Sequence, residues 1–563
     1  MGGGGANSLN SPNSAGNSDF DGDNNDTNIT WTEPTYKTYD DYFADFNITK
    51  ETITENDLTG NGSATNPYIV HSTKGFLWLS NYSLSKIWLA NKYFQLACDI
   101  ILNDETFDES GSPSGGDGVI YNWQSITSAT EASFNGCNYS IVGLYLKTEE
   151  TSYRGLFYCG SMNIVGLKFE NVFIDAKWSS PIGGQNHIIE NCEVLSGTII
   201  GADRVGGICS FPLIIKNSNN FATVKVTGLS AAGICAYLKQ GGLLEYCENY
   251  GTIYGGEKES YISGLCAVSY ENTSIKNCQN YGDLFATNQS AGGILARALK
   301  NIYISNCVNY GDIVAGRMMG GILGQQDESG ITISNCKNFG SIGNTSLFSG
   351  EIAGRVLMSC SIINCSAWEG GRKPFIGGVN TEYSSANIEV VDCMYISKNL
   401  TSRSVLIGGT VQKENSLFTL NISVKDCVFD IIGDVEIVYF VFSYTKINSL
   451  EITNTEIKTN DKRLYLLYGS TKTLIMKNII VSSSNTREYV FSVMDEGDIV
   501  KQIEGLLFVG ATKKHYISDD FSGFYVDYKT GKIGLKALSG KGFYQGKVTE
   551  EWLESKGFEK KVI

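Results

Sequence analysis

The sequence predicts an all-β protein folded as a single right-handed parallel β-helix, a solenoid of roughly a dozen coils. The first observation is a motif that recurs about every 29 residues, with its cysteine at Cys247, Cys278, Cys307 and Cys336, and with an asparagine, an aromatic residue and a glycine after it. The second is that each unit holds two or three apolar runs of four to six residues, separated by Gly, Asn and Ser, without a helical period. Units of this kind bury their apolar faces only by stacking on their neighbours.

Stacked coils place equivalent residues about 4.8 Å apart, so each recurring position predicts a ladder. We expect one asparagine ladder to hydrogen-bond along a corner and to satisfy polar groups turned inward. It comprises Asn191, Asn277, Asn306, Asn335 and Asn364. A Gly-Ile signature recurs near the middle of the units, at Gly207-Ile208, Gly233-Ile234, Gly264-Leu265, Gly293-Ile294 and Gly321-Ile322. The glycines that follow the aromatic position, Gly251, Gly282, Gly311 and Gly340, suit a corner that needs positive φ or close backbone approach.

The 15 cysteines fall mainly on two ladder positions. Stacked cysteines have parallel Cβ vectors, which is poor disulfide geometry, so the favoured interpretation is buried reduced thiols. Disulfides between coils are the alternative. No Cys-x-x-Cys pair occurs, which argues against a metal site.

The chain divides into four predicted parts. Residues 1–57 read as a flexible polar tether, residues 58–130 as an N-terminal cap with the first strands, and residues 131–510 as the β-helix repeats. Residues 511–563 read as a C-terminal cap made of a hairpin, Phe524–Tyr528 with Ile533–Leu535, and a short helix, Thr549–Lys556.

Several motifs together resemble the GLUG repeat of bacterial cell-surface proteins. They include Gly320-Gly321-Ile322-Leu323-Gly324, the run from Gly330 to Cys336, and Gly340-Ser341-Ile342. The resemblance extends over roughly Leu58 to Ile432 and includes the order of motifs at the start of that region. It implies a secreted or surface-attached β-helix, often called adhesin-like, and carries over no catalytic or ligand-binding residue.

Composition and charge argue against two classes of binding partner. The net charge of −15 and the lack of a basic stripe before Lys513 argue against nucleic acid and against a bare anionic membrane. The four glycines after Met1 and the polar stretch behind them resemble the segment after the lipid-modified cysteine of a bacterial lipoprotein, with the signal and cysteine replaced by an initiator Met. We therefore expect an extracellular, cell-surface protein that meets the membrane only through such an anchor. A secreted protein trimmed elsewhere and a cytoplasmic chain are the alternatives.

The sequence predicts no catalytic residue, no cofactor and no metal site. Its three histidines are far apart, and neither His-Glu-x-x-His nor Gly-x-Ser-x-Gly occurs. Asp283 and Asp312 hold equivalent positions one coil apart, and we interpret them as solvated acids at the rim. The acidic leader from Asp19 to Asp26 lacks the Gly and Glu of an EF-hand loop, so calcium binding there is not favoured.

One aromatic column is the candidate ligand-binding site. Its members share one phase of the repeat: Phe221, Tyr250, Tyr281, Tyr310 and Phe339. Strand alternation indicates that these rings face outward, where they would form a platform for sugar rings or for an apolar strip of a partner. The alternative is that they pack on each other to protect the corner.

The function predicted from these observations is adhesion or ligand display along the lateral face of the rod, with a glycan or a surface protein as partner. The first alternative is a polysaccharide lyase or glycoside hydrolase built on a β-helix. A structural filament or spike component is the second. Oligomeric state and ligand identity are not predicted.

Overall fold

The computed structural model describes residues 34–49 and 52–83, most of residues 91–509 apart from short gaps, and three short strands between residues 516 and 536. The predicted all-β parallel β-helix is confirmed, with about 11 turns and, in the described residues, two helices. The acidic leader and the predicted C-terminal helix lie outside the described residues.

Each regular coil contains five short strands, which we call faces 1 to 5 in chain order. In the coil around Cys278 they are Ser274–Lys276, Gln279–Asn280, Leu284–Phe285, Ser290–Gly292 and Leu295–Ala298. Each strand pairs in parallel with the same strand of the next coil, as when Ile275 aligns with Ile304. This register carries every repeated residue into a ladder.

Faces 1 and 2 run the length of the rod. The face 1 strands are Tyr68–Val70, Tyr93–Leu96, Ser133–Asn135, Asn163–Val165, Ile188–Glu190, Ile214–Lys216, Leu243–Glu245, Ser274–Lys276, Tyr303–Ser305, Ile331–Ser334, Cys360–Ile363, Ala386–Val391, Leu420–Lys425 and Ile447–Thr453. The face 2 strands are Ile100–Ile101, Ser140–Val142, Lys168–Glu170, Glu193–Val194, Asn219–Asn220, Glu248–Asn249, Gln279–Asn280, Val308–Asn309, Lys337–Asn338, Ser366–Ala367, Met394–Ser397, Val428–Ile431 and Glu456–Thr459. The longer strands Thr471–Ser483 and Val500–Val509 continue both faces.

The other three faces complete the coils. Face 3 comprises Tyr145–Lys147, Val172–Asp175, Gly197–Gly201, Thr223–Val226, Ile253–Gly255, Leu284–Phe285 and Ile313–Val314. Face 4 comprises Tyr153–Arg154, Trp178–Ser179, Val205–Gly206, Ser230–Ala232, Tyr261–Ser263, Ser290–Gly292, Met318–Gly320 and Phe348–Gly350. Face 5 comprises Cys235–Leu238, Cys266–Ser269, Leu295–Ala298, Leu323–Gln326, Ala353–Val356, Ile376–Asn380, Ser404–Ile407 with Thr410–Val411, Val438–Phe442 and Leu464–Tyr468.

The N-terminal part adds two helices and three small pairings. Helix α1 is Tyr39–Asp45 and helix α2 is Thr73–Ser83. Strand Thr35–Lys37 pairs with Val119–Tyr121, Leu58–Thr59 with the first face 1 strand, and Thr106–Phe107 with Pro113–Ser114.

Part of the predicted tether, residues 1–57, is folded. The side chains of Tyr39 and Tyr42 in α1 are buried, and the Tyr42 hydroxyl donates to the carbonyl of Leu102 at 2.6 Å. Helix α2 buries Phe76 and Leu77 against the first coils. Apolar burial of this kind holds residues 35–48 on the rod even though the leader before them is polar.

Near the C-terminus, Val490–Phe491 pairs with Tyr516–Ile517, and Gly523–Asp527 pairs with Val500–Val509. Gly523–Asp527 and Lys532–Lys536 form an antiparallel pair. A strand paired with Val500–Val509 covers part of an edge that would otherwise be open.

Two asparagine ladders run along the rod beside face 2. The outer ladder lies at the corner between faces 1 and 2, and the inner ladder lies where face 2 ends, before face 3. The predicted ladder is real in part, since Asn306 donates to Asn277 at 3.0 Å and Asn364 to Asn335 at 2.7 Å. Its residues have positive φ near 54° and lie toward solvent. Asparagine is therefore used here because it tolerates the left-handed region, and the prediction that this ladder satisfies inward polar groups is wrong.

The inward ladder is formed by the second asparagine of the motif. Its members are Asn220, Asn249, Asn280, Asn309 and Asn338, all buried. Each of the first four amides donates to the next at 2.8 to 2.9 Å, and all five also donate to the carbonyl two residues ahead, as Asn280 does to Gly282 at 2.9 Å. The buried amides thus satisfy the backbone of the corner that follows.

The recurring glycines lie where the backbone closely approaches the inner asparagine ladder or the backbone of an adjacent coil. A Cβ on Gly264 would lie 2.1 Å from Asn280 Cγ, so the Gly-Ile signature makes room for the inner asparagine ladder. A Cβ on Gly282 would lie 2.0 Å from the carbonyl oxygen of Gly251. These two glycines are used for close approach and do not have positive φ.

The cysteine ladders are buried and unbridged. All described cysteines are free, and in the main column the backbone N–H of Cys247 lies 3.4 Å from Cys278 Sγ. Cys209, Cys235 and Cys266 form the second column beside face 5. Burial raises the pKa of the Cys192 and Cys360 thiols to about 12, which keeps them protonated and unreactive at neutral pH.

Candidate ligand-binding surface

The five predicted site residues form one continuous column on the outer surface, which we call the aromatic ridge. Successive ring centroids are 4.6, 4.7, 4.9 and 5.2 Å apart, and the ring planes differ by only 3 to 8°. Each ring residue retains 38 to 43% of its surface exposed. The ridge comprises Phe221, Tyr250, Tyr281, Tyr310 and Phe339. The rings therefore pack on each other and also face solvent.

The local sequence explains why these rings point outward. Asn280 turns inward and is buried, so the next side chain in the strand, Tyr281, points outward. Gly282 then brings the backbone against the preceding coil and ends face 2. Asn-Tyr-Gly in three consecutive coils and Asn-Phe-Gly in the fourth line the rings up along the rod.

Stacking determines which part of each ring is available. Because the planes are nearly parallel and the centroids follow the coil spacing, a ring inside the ridge has a neighbour over each face. Its outer edge and its hydroxyl are the parts that remain accessible. Sugar rings that stack on aromatic faces are thus disfavoured inside the ridge, and a flat apolar partner surface is a better fit.

Hydrogen bonds beside the ridge hold the ring planes. The Tyr250 hydroxyl donates to Glu248 Oε2 at 2.6 Å, and the Tyr281 hydroxyl donates to Gln279 Oε1 at 2.8 Å. Gln279 Nε2 in turn donates to Glu248 Oε1 at 3.2 Å. The carboxylate of Glu248 raises the pKa of the Tyr250 hydroxyl to about 12, because that hydrogen bond requires the protonated phenol.

Further exposed apolar residues widen this surface. Leu195 holds the position before Phe221 in the same column and is exposed. Around the corner on face 3, Tyr254 and Phe285 stack at 5.7 Å, and Val314 follows them in register. All three face 3 residues are exposed, so the ridge has a parallel apolar strip beside it.

Asp283 and Asp312, which follow the ridge corner, accept hydrogen bonds from backbone amides of the next coil. Asp283 Oδ1 accepts from the N–H of Asp312 at 2.8 Å, and Asp312 Oδ1 accepts from the N–H of Ser341 at the same distance. The two carboxylates therefore bind the backbone of successive coils and act as structural residues. Among the described residues, no group of three or more His, Cys, Asp or Glu side chains is arranged to hold a metal ion.

A second surface feature, which sequence reasoning missed, lies where faces 4 and 5 meet at the Gly-Ile corner. Outward side chains of the two faces touch across this corner, as Ser230 Oγ and the Tyr237 hydroxyl do at 3.2 Å. The Arg204 guanidinium carbon lies 4.7 Å from the ring centre of Trp178 and 5.0 Å from that of Tyr237. Arg297 lies 5.0 Å from Tyr261 in the same way. We call this feature the arginine groove.

The arginine groove continues for several coils. Ser290 Oγ donates to Gln325 Oε1 at 3.0 Å, and Arg355 Nη1 lies 3.8 Å from Met318 Sδ. Its charged and aromatic residues come from several positions of the repeat, although Tyr237, Arg297 and Arg355 share one position on face 5. They are Tyr153, Trp178, Asp203, Arg204, Tyr237, Tyr261, Arg297, Asp327 and Arg355. The residue type at the shared face 5 position changes from coil to coil, with Val268 and Gln325 between the other members, so no recurring charge pointed to this groove.

Asp203 is the most perturbed acid of the groove. Its Oδ2 accepts from Trp178 Nε1 at 3.0 Å, while its buried Oδ1 has no hydrogen-bond partner among the described residues. Burial raises its pKa although Arg204 opposes the shift. In this groove the carboxyl group is easier to protonate than an ordinary aspartate.

No family model matches the chain, and no curated protein matches it. Among solved structures, the chain is similar to a Bacteroides ovatus protein described as a "putative immunoglobulin A1 protease". The TM-score is 0.28 and the identity 17%, over 65% of this chain and 79% of that chain. A similarity at this level says nothing about function, and the GLUG resemblance remains a prediction. Within the described residues, no helix is both long and apolar enough to span a membrane.

Proposed function

We propose that this protein is a cell-surface adhesin that binds a partner through the aromatic ridge. The observation that supports the proposal is the ridge itself, five aromatic rings in register and each about two-fifths exposed. Soluble proteins rarely expose a contiguous apolar strip, and such strips usually mark interaction sites. Tyrosines are also favoured contact residues because they offer a large rigid area with a polar tip.

The rod supplies the rigidity that such a site needs. The ridge lies directly outside the buried asparagine ladder, so each ring is fixed by a hydrogen-bonded corner. Little conformational entropy is lost when a partner binds to side chains that are already ordered.

The ring geometry favours a protein partner over a glycan. Inside the ridge the ring faces are occupied by neighbouring rings, whereas the edges and the strip of Tyr254, Phe285 and Val314 present a broad apolar area. Glu248 and Asp312 border that area with negative charge. A partner with an apolar strip flanked by basic residues would complement both features.

The test is binding of the purified protein to an array of immobilised extracellular proteins and glycans. Tyr281→Ala with Tyr310→Ala removes two adjacent ridge rings, and we expect at least a tenfold loss of affinity for the partner found with wild type. Tyr303→Ala is the matched control, because Tyr303 is an exposed tyrosine that lies in the same coil as Tyr310 but on face 1. Equal binding by wild type and the double variant would refute the ridge as the binding surface.

A polysaccharide-cleaving enzyme is the second candidate, supported by the perturbed carboxyl of Asp203 beside Arg204. An acid with a raised pKa in a groove is a candidate proton donor or acceptor. Incubation with polysaccharides and measurement of released reducing ends tests this candidate. If cleavage occurs, Asp203→Asn should abolish it, and cleavage that survives in this variant would exclude Asp203 as the catalytic acid or base.

A further inference from the structure

The arginine groove is a second extended surface, distinct from the aromatic ridge. It follows the corner between faces 4 and 5 from the strand at Trp178 to the strand at Phe348. Seven successive coils border it, which at the coil spacing corresponds to roughly 29 Å. A straight groove of this length suits a linear polymer better than a compact small molecule.

From these features we propose that the arginine groove binds a linear polysaccharide rich in carboxylated sugars. Arg204, Arg297 and Arg355 lie along it, although the whole chain has a net charge of −15. Guanidinium groups bind carboxylates with paired hydrogen bonds. A cluster of three arginines on an acidic protein is therefore a specific feature of this groove.

The arginines are only partly neutralised within the groove. Arg297 Nε donates to Asp327 Oδ2 at 2.6 Å, whereas Arg204 Nε lies 3.9 Å from the nearest oxygen of Asp203. The Nε atoms of Arg204 and Arg355 are buried and have no hydrogen-bond partner among the described residues. Because these Nε atoms are buried, a ligand carboxylate would meet the Nη groups of the two partly exposed side chains, and Arg204 Nη1 already donates to the Tyr153 hydroxyl at 2.8 Å.

The spacing of the arginines fits a repeating polymer. On face 5, Arg297 aligns with Gln325 and Gln325 with Arg355, which separates the two arginines by two coils, about 9.6 Å along the rod. Between the charged positions, Gln325 and Ser290 are buried and hydrogen-bonded to each other, and the half-buried Tyr237 ring lies against Arg204. Arginines that recur two coils apart match the repeating carboxylates of such a polymer.

An acidic peptide is the competing polymer, and the fold disfavours it. One common way for an extended peptide to bind is to add a strand to a free sheet edge. Faces 4 and 5 of these coils are paired on both sides by the coils above and below. Recognition must therefore come from side chains, and aromatic rings with arginines and amides recognise sugar carbon faces, carboxylates and hydroxyls.

Affinity electrophoresis of the full chain with polygalacturonate in the gel tests the proposal. We expect wild type to be retarded by polygalacturonate, less so as salt rises, and not by its fully methyl-esterified form. Arg355→Gln and Arg204→Gln should each weaken binding about tenfold, because each loses a charge-assisted contact. Lys276→Gln removes a cation from face 1 and should bind as wild type does.

Several outcomes would overturn the proposal. It fails if wild type is not retarded, if the methyl ester binds equally, or if Lys276→Gln loses as much affinity as Arg355→Gln. Retardation of the same strength by polyglutamate, lost in the same arginine variants, would assign the groove to acidic peptides instead. Circular dichroism and melting of each variant establish that the rod is intact. Because Tyr281→Ala with Tyr310→Ala leaves the groove untouched, failure here and failure of the ridge are distinguishable.

Discussion

Asn280 and Tyr281 are neighbours in the chain, yet the Asn280 side chain points into the β-helix and the Tyr281 side chain points to solvent. Asn280 is fully buried and hydrogen-bonded to Asn249 and Asn309 in adjacent coils. Tyr281 is exposed and stacks between Tyr250 and Tyr310. Both ladders repeat with the same period.

This comparison shows that repetition alone does not separate architecture from function. A repeated inward residue is retained because the coil needs its hydrogen bonds or its volume. A repeated outward residue stabilises the rod only modestly, so a partner is the better reason for a row of exposed rings. The direction of the side chain has to be known before a repeated residue is interpreted.

Removal of one inner amide should have the largest effect on stability. In Asn280→Ala, Asn249 Nδ2, Asn309 Oδ1 and the carbonyl of Gly282 each lose a buried partner. We expect a loss of about 3–5 kcal/mol in the free energy of unfolding, measured by urea denaturation. The matched control is Asn306→Gly in the outer ladder, which keeps the left-handed backbone and should change stability by less than about 1 kcal/mol. Similar losses in the two variants would contradict the assignment of inner and outer ladders.

A methyl group placed against the inner ladder should cause the second-largest loss of stability. In Gly264→Ala the new Cβ would lie 2.1 Å from Asn280 Cγ, so the amide or the backbone must move. We expect a destabilisation of about 1–3 kcal/mol by the same measurement. Gly409→Ala is the control, because a Cβ there meets nothing within 4 Å. If Gly264→Ala proved as harmless as Gly409→Ala, the packing of the Gly-Ile signature on the ladder would be incorrect.

The buried thiols predict a pH-dependent effect that is absent at neutral pH and grows above about pH 9. The folded-state pKa of Cys192 and of Cys360 is about 12, against 9.0 for a free thiol, so both stabilise the fold fully below about pH 9. Their contribution is lost as the pH rises from 9 toward 12, because the unfolded chain releases these protons first. The loss is on the order of 1 kcal/mol per thiol for each pH unit in that window. Urea denaturation between pH 8 and 11 should show a flatter decline for Cys192→Ala with Cys360→Ala than for wild type. Parallel curves would argue against buried neutral thiols.

Most of the architecture could be predicted because stacking converts sequence spacing directly into position. The cysteine spacing set the coil length, and the five ridge residues were found from their phase alone. The outward role of Asn277 was missed because its left-handed backbone is not visible in a hydrophobic pattern. The inward role of Asn280 had a signal, since it lies two residues after the buried Cys278 in an extended segment.

Two other features had no comparable signal. Helix α1 is short and lies next to a polar leader, so its burial against the first coils depends on tertiary packing of Tyr39 and Tyr42. The arginine groove combines Arg204, which precedes a face 4 strand, with Arg297 and Arg355, which share one face 5 position but have Gln325 between them. Contacts between unlike positions depend on the shape of the coil, and sequence periodicity does not contain that shape.

The most direct test of the account compares Asn280→Ala and Tyr281→Ala in two measurements, urea denaturation and binding to the partner identified with wild type. Both variants are assayed for binding at a temperature well below their melting transitions. We predict that Asn280→Ala loses about 3–5 kcal/mol of stability and binds as wild type does while folded. Tyr281→Ala should lose about 1–3 kcal/mol from its two ring contacts and bind clearly more weakly. The account would be contradicted if Tyr281→Ala bound as tightly as wild type, or if Asn280→Ala proved the less destabilised of the two.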